Sequence, residues 1–76
     1  YILECADGTY YTGWTADPLR REKQHNKGTG SKYTRMHRPV KLVYIEEASD
    51  RSSAMRRELT IKTYSHLRKQ KMILDQ

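Results

Sequence analysis

The sequence has no phenylalanine, one cysteine, two prolines and four glycines, and only 36% of its 76 residues are hydrophobic. Each shortage removes options. With a single cysteine no disulfide can close within the chain and no cysteine-rich zinc site can be assembled, so a reducing, cytoplasmic setting is expected. The longest apolar stretches, such as Leu42-Val43-Tyr44-Ile45, are far too short to cross a bilayer, and nothing reads as a secretion signal. A chain of this length is expected to form one domain over residues 1–76, with a core drawn from six tyrosines, Trp14 and a few aliphatic segments. Modest stability follows.

Acidic residues are also outnumbered. Fifteen Lys and Arg against nine Asp and Glu give a net charge of +6, which suits a polyanionic partner. The excess is local, because Arg20 to Lys41 carries eight basic residues against Glu22 alone, a net +7. Tyr33, His25 and His37 interleave with this stripe. Phosphate tracking by a nucleic-acid-binding protein takes this form, and Arg20, Lys23, Lys32, Tyr33, Arg35 and Arg38 are the candidate contacts. A solvated basic surface is the competing reading.

Tyr1 to Cys5 and Thr9 to Trp14 are rich in aromatic and β-branched residues, and Asp7-Gly8 between them is a turn signal, so they read as a β-hairpin. Two registers are open. A two-residue loop pairs Glu4 with Tyr11 and separates Tyr1 from Tyr11. A three-residue loop, Ala6-Asp7-Gly8 with Gly8 left-handed, pairs Leu3 with Tyr11 and places Tyr1, Tyr11 and Gly13 on one face. The second is favoured because only it lets both phenols reach one site.

Asp17-Pro18 starts a helix: the carboxylate accepts from orphan N–H groups, and proline has no N–H to leave unpaired. It should run to about Asn26, with Gly28-Thr29-Gly30 opening a loop to Pro39. Val40 to Glu46 reads as a third strand, with Lys41, Val43 and Ile45 facing one way and Leu42 and Tyr44 the other. Ser49 or Asp50 should cap a second helix to about Thr63, its apolar stripe being Ala54, Met55, Leu59 and Ile61. Ser65 should cap a third, with Leu67 and Leu74 opposite Arg68, Lys69 and Lys71. The expected fold class is α+β, a three-stranded antiparallel sheet with about three flanking helices.

Arg21 follows Tyr11-Thr12-Gly13 by a short loop and a helical turn, His25 lies one turn beyond Arg21 on the same face, and Glu58 sits on the second long helix. With Tyr1 and Tyr11-Thr12-Gly13 as the two tyrosine motifs, the sequence resembles the GIY-YIG nuclease superfamily over nearly its whole length. Gly28 to Arg35, Arg38 to Tyr44 and Arg56-Arg57-Glu58 resemble its small, stand-alone, uncharacterised bacterial branch. Departures exist: Thr12 stands for the motif's isoleucine, the Gly and Ile of the first motif are expected before residue 1, and Glu22 stands where an apolar residue is commoner. None removes a reactive group.

The resemblance implies an endonuclease that hydrolyses DNA phosphodiester bonds with one Mg²⁺ or Mn²⁺ ion, with Tyr1, Tyr11, Arg21, His25 and Glu58 as catalytic residues. Structure-dependent recognition of nicked, branched or damaged DNA, or a targeting protein partner, would supply specificity. A non-catalytic DNA- or RNA-binding module on the same scaffold is the alternative.

The chemistry supports these residue types. Phosphodiester hydrolysis needs an activated water and stabilisation of charge on the phosphoryl oxygens. Arg21 suits the second task, since a guanidinium is always charged and grips two oxygens at once. Glu58 lies on the helix side of Ala54 and Ile61, aimed at the sheet, where one carboxylate, waters and a phosphate would hold a divalent ion; an i, i+4 pair with Lys62 is the bland reading. Tyr1 is the candidate general base and Tyr11 its partner. A phenol with pKa about 10 is a poor base at neutral pH, so this reading expects a cation, whether His25, Arg21 or the metal, to lower it. Gly28-Thr29-Gly30-Ser31-Lys32 lacks the spacing of a phosphate loop, His37 and His66 read as surface residues, and Cys5 as a packed strand residue.

Overall fold

The computed structural model describes all 76 residues, in the order β1 (Ile2–Glu4), β2 (Tyr10–Thr12), α1 (Pro18–Lys27), α2 (Lys32–Met36), β3 (Lys41–Tyr44), α3 (Arg51–Lys62) and α4 (His66–Leu74). The three strands form one antiparallel sheet in the order β2-β1-β3, so the expected α+β architecture is present.

The hairpin adopts the three-residue loop. Leu3 pairs with Tyr11 and Ile2 with Thr12, while Cys5 N–H donates to Thr9 O and Gly8 N–H to Cys5 O. Gly8 has φ 84°, a conformation that costs a residue with a Cβ. Tyr1, Leu3, Cys5 and Tyr11 therefore share a face, and Leu3 and Cys5 form the core cluster there with Val40, flanked by Tyr1, Tyr11 and Leu42.

Strand β3 corrects the expected alternation. Leu42 lies opposite Leu3 but Tyr44 lies opposite Ile2, so one extra residue is accommodated at Val43. This bulge turns Tyr44 to the face opposite Leu42. The carbonyl of Val43 accepts from the Gln76 side chain instead.

Local capping explains where the helices begin. Asp17, Asp50 and Ser65 accept from the backbone N–H groups of Arg20, Ser53 and Arg68. Gly28, at φ 87°, ends α1 in the left-handed conformation. The region expected as a loop contains a fourth helix, α2, because Ser31 accepts from Thr34 N–H and caps Lys32–Met36.

The outer helices bury other faces than the apolar pattern suggests. On α3, Ala54, Arg57, Glu58 and Ile61 turn inward while Met55 and Leu59 are exposed. On α4, Leu67 and Leu74 are 73% and 77% exposed, and Lys69, Met72 and Ile73 are the half-buried residues. Neighbouring residues on a helix point about 100° apart, so where α3 meets β2 and α4 meets β3 decides the buried face and apolarity does not. No helix is long and apolar enough to cross a membrane.

Candidate active site

Two adjacent rows on α1 divide the work of placing the site. Glu22 and Asn26, one turn apart, fix the helix to β3: Leu42 N–H donates to Glu22 Oε2 at 2.6 Å, and Asn26 both accepts from Val40 N–H (2.8 Å) and donates to Val40 O (2.9 Å). The acidic residue at position 22 thus satisfies a backbone donor that an apolar side chain would leave unpaired. The second row, Arg21 and His25, faces the hairpin.

His25 is fully buried and forms the hub of the site. Its Nε2 lies 2.9 Å from the Tyr1 hydroxyl, and its Nδ1 lies 2.6 Å from Thr34 Oγ1. The Tyr11 ring packs edge-on to the imidazole at a centroid distance of 5.2 Å. Thr34, also fully buried, donates its hydroxyl to Ser31 O and lies 2.9 Å from Ser31 Oγ. With the Thr34 proton on that carbonyl, Thr34 Oγ1 accepts from His25 Nδ1–H, and the Nε2 lone pair is left for the Tyr1 hydroxyl.

Glycines make room for this packing. A Cβ on Gly13 would stand 2.5 Å from the Tyr1 hydroxyl oxygen, and one on Gly30 would collide with the imidazole of His25. Both glycines are needed for what lies beside them.

The electrostatics correct one expectation. Burial, and secondarily the Arg21 charge, hold the His25 pKa below its ordinary value, so His25 is a neutral acceptor and not a cation beside Tyr1. Burial likewise raises the Tyr1 phenol, a shift that the neighbouring Arg21 guanidinium only partly opposes. The phenol is not poised as a phenolate; it is a protonated hydroxyl bonded to a neutral imidazole.

Tyr1, Tyr11, Arg21 and Glu58 line one open cavity of about 440 Å³, together with Gly13, Trp14, Asp17 and Arg20. Arg21 is held by Gln24, whose Oε1 accepts from its guanidinium at 2.9 Å. The Glu58 side chain is 15% exposed and lies 3.5 Å from Lys62 Nζ, so the cavity position and the i, i+4 pair coexist. His25 stands behind the wall, touching the cavity through the tyrosines.

The donor set matches one kind of metal. No group of three His, Cys, Asp or Glu side chains converges anywhere in the chain, which rules out a closed zinc-type site. Glu58 is the carboxylate of the cavity without a capping duty, since Asp17 is engaged by Arg20 N–H. One hard oxygen ligand in an open, water-accessible cavity suits an ion of the magnesium type, which keeps most of its waters and takes phosphate oxygens.

The basic stripe divides. Arg20 reaches the cavity, whereas Lys23, Lys32 and Arg35 lie exposed away from it. Arg38 donates to the carbonyls of Arg35 and Asn26, bracing the loop after α1. The Tyr33 hydroxyl donates to Thr9, and its ring stacks between Tyr11 and His37, so it supports the site through Tyr11. His37 pairs with Asp7 at 3.5 Å, and exposed His66 stacks on Tyr10. Trp14, Gln24, Gly30, Ser31 and Thr34 belong to the site or its support without having been singled out for it. Ser31, a residue type favoured at helix starts, was the available signal for the helix that carries Thr34.

The chain is similar to known proteins. The family model described as the GIY-YIG catalytic domain matches residues 1–71. A UPF0213 protein of Halobacterium salinarum is 51% identical over 92% of this chain and 91% of its own. A UPF0213 protein of Staphylococcus aureus is 47% identical over 96% of this chain and 89% of its own. Among solved structures, the solution NMR structure of a UPF0213 protein from Bacillus halodurans superposes with a TM-score of 0.58 at 44% identity, covering 96% of this chain and 78% of that one.

Proposed function

Because this chain belongs to the GIY-YIG catalytic-domain family, a family of nucleases, we propose that it is a divalent-metal-dependent endonuclease cleaving DNA phosphodiester bonds at the Tyr1–Tyr11–Arg21–Glu58 cavity. The observation that carries this reading is the convergence of two phenols, a guanidinium and one carboxylate with no capping duty on one open cavity, with a buried neutral histidine bonded to one of the phenols.

The geometry supports the following roles. Arg21, held by Gln24, binds two non-bridging oxygens of the scissile phosphate and offsets the charge that grows on them. Tyr11 bounds the phosphate position. A water between Tyr1 and the phosphorus loses a proton to the Tyr1 oxygen as the Tyr1 proton passes to His25 Nε2. The new phosphorus–oxygen bond forms as the bond to the leaving strand breaks, and the departing oxygen takes a proton from solvent. The products are a phosphate monoester end and a hydroxyl end. Both relay groups begin in their neutral forms, which are the forms that burial favours here. Glu58 would hold the Mg²⁺ or Mn²⁺ ion, which supplies Lewis-acid stabilisation of phosphoryl charge when bound.

Specificity for nicked, branched or damaged DNA, or delivery by a targeting protein, is the finer part of this proposal. Incubation with supercoiled plasmid, branched DNA and RNA, each with Mg²⁺, Mn²⁺ or chelator, tests it. Nicking that chelator abolishes is expected. Salt-sensitive binding with no turnover on any substrate would overturn the proposal and leave a nucleic-acid-binding module.

A further inference from the structure

Trp14 is placed differently from the other aromatic residues of the site. It follows Gly13, the residue against which the Tyr1 hydroxyl packs, and it lines the same cavity as Tyr1, Arg21 and Glu58. Tyr1 is bonded to His25 and Tyr11 is packed between His25 and Tyr33. Trp14 has no aromatic partner; it lies outside the core cluster and is half-exposed. Its one ring partner is the exposed Arg51 guanidinium, 5.1 Å from the ring centroid. Arg20 lines the same mouth and is also exposed.

An indole left half in water is a large apolar surface without a mate. Beside it stand two exposed cations, one of which already lies over the ring. A nucleobase stacks on an indole face irrespective of its identity, and adjacent arginines hold the phosphates on either side of it. In a continuous duplex each base face is already covered by its neighbours, so this platform serves only a base free of its own stack. Trp14 lines the same cavity as Tyr1 and Arg21, so its ring borders the phosphate position proposed for that cavity.

We propose that Trp14 is a stacking platform for an unpaired nucleobase adjacent to the scissile phosphate, flanked by Arg20 and Arg51. The substrate class is then a strand with at least one unstacked nucleotide at the cut, such as a single strand, a flap or the locally unpaired stretch of a supercoiled plasmid, and fully stacked linear duplex is a poor substrate. This deepens the phosphodiesterase reading and rests on it for the identity of the neighbouring phosphate.

Trp14 is the sole tryptophan of the chain, so its emission reports stacking directly. The wild-type chain is titrated in chelator, where no cleavage occurs, with a short oligothymidylate and with a blunt mixed-sequence hairpin duplex. Strong quenching by the single strand and little by the duplex are expected. Trp14→Ala should weaken oligothymidylate binding by about tenfold, and Trp14→Phe should restore most of it. Equal quenching by the duplex, or undiminished single-strand affinity in Trp14→Ala, overturns the inference. The wild-type titration decides the matter even if Trp14→Ala does not fold. Cleavage with no quenching defeats this inference alone. Quenching with no cleavage of any substrate defeats the nuclease reading and leaves the platform standing.

Discussion

The Tyr1 hydroxyl and His25 Nε2 lie 2.9 Å apart, with the far side of the imidazole closed by Thr34 at 2.6 Å. A phenol kept protonated by burial is thereby joined to an acceptor kept neutral by the same burial. In the proposed mechanism the phenol, a weak base, acts by handing its proton on to His25, which is not a cation here.

Removing the hydroxyl should disable that relay while the ring still fills its place against Gly13. Tyr1→Phe is predicted to lower kcat by about 10²–10⁴-fold, with KM little changed, in single-substrate nicking kinetics. A rate within a few-fold of wild type would mean that another group takes the water's proton.

The pH dependence of folding carries the signature of His25. Its pKa in the fold lies below the ordinary value of 6.5. The unfolded chain therefore takes up the proton first as pH falls. Its contribution to stability is complete above about 6.5 and declines as pH drops from there through the folded pKa. Urea unfolding midpoints should fall over that interval, and ring nitrogen shifts should show His25 as the neutral Nδ1–H tautomer at pH 7.5. An imidazolium there would contradict the assignment.

Thr34 is a positioning residue in this account, acting on Tyr1 through His25. Thr34→Val keeps the shape but leaves a buried N–H unpaired, at a cost of about 1–3 kcal/mol in stability. It should also shift the pH profile of kcat, because the tautomer is no longer held. Thr34→Ser should restore the profile. A profile unchanged in Thr34→Val would reduce the residue to a packing role.

Thr12, where the resemblance led to an isoleucine, has a buried hydroxyl with no hydrogen-bond partner. Thr12→Val is predicted to raise stability by about 1 kcal/mol or more by removing that unpaired group, with activity unchanged, as read by urea or thermal unfolding. Destabilisation would show that the hydroxyl is satisfied in solution.

Much of this was legible in the sequence, and for identifiable reasons. Asp7-Gly8 set the turn, and the need for both phenols on one face selected the correct hairpin register, Leu3 with Tyr11. Asp17-Pro18 and Ser65 marked helix starts through capping chemistry that is local by nature. What failed was non-local. The bulge at Val43 depends on how β3 meets β1, and the exposure of Leu67 and Leu74 depends on where α4 docks. The inward aim of Glu58 was readable from its spacing to Ala54 and Ile61. The neutrality of His25 was not, because it arises from burial among residues distant in sequence. Thr34 and Ser31 were hidden by Gly28 and Gly30, which read as a loop although Ser31 caps a helix inside it.

The most direct test of the whole account is Glu58→Ala, compared with wild type in parallel assays of Mg²⁺-dependent nicking and of DNA binding in chelator. The carboxylate that would hold the metal is half-buried on α3, apart from exposed Lys23, Lys32 and Arg35, which are proposed to meet the DNA backbone. Nicking should disappear while the dissociation constant for DNA stays within about twofold. A variant that binds and still cuts at the wild-type rate would contradict the central claim.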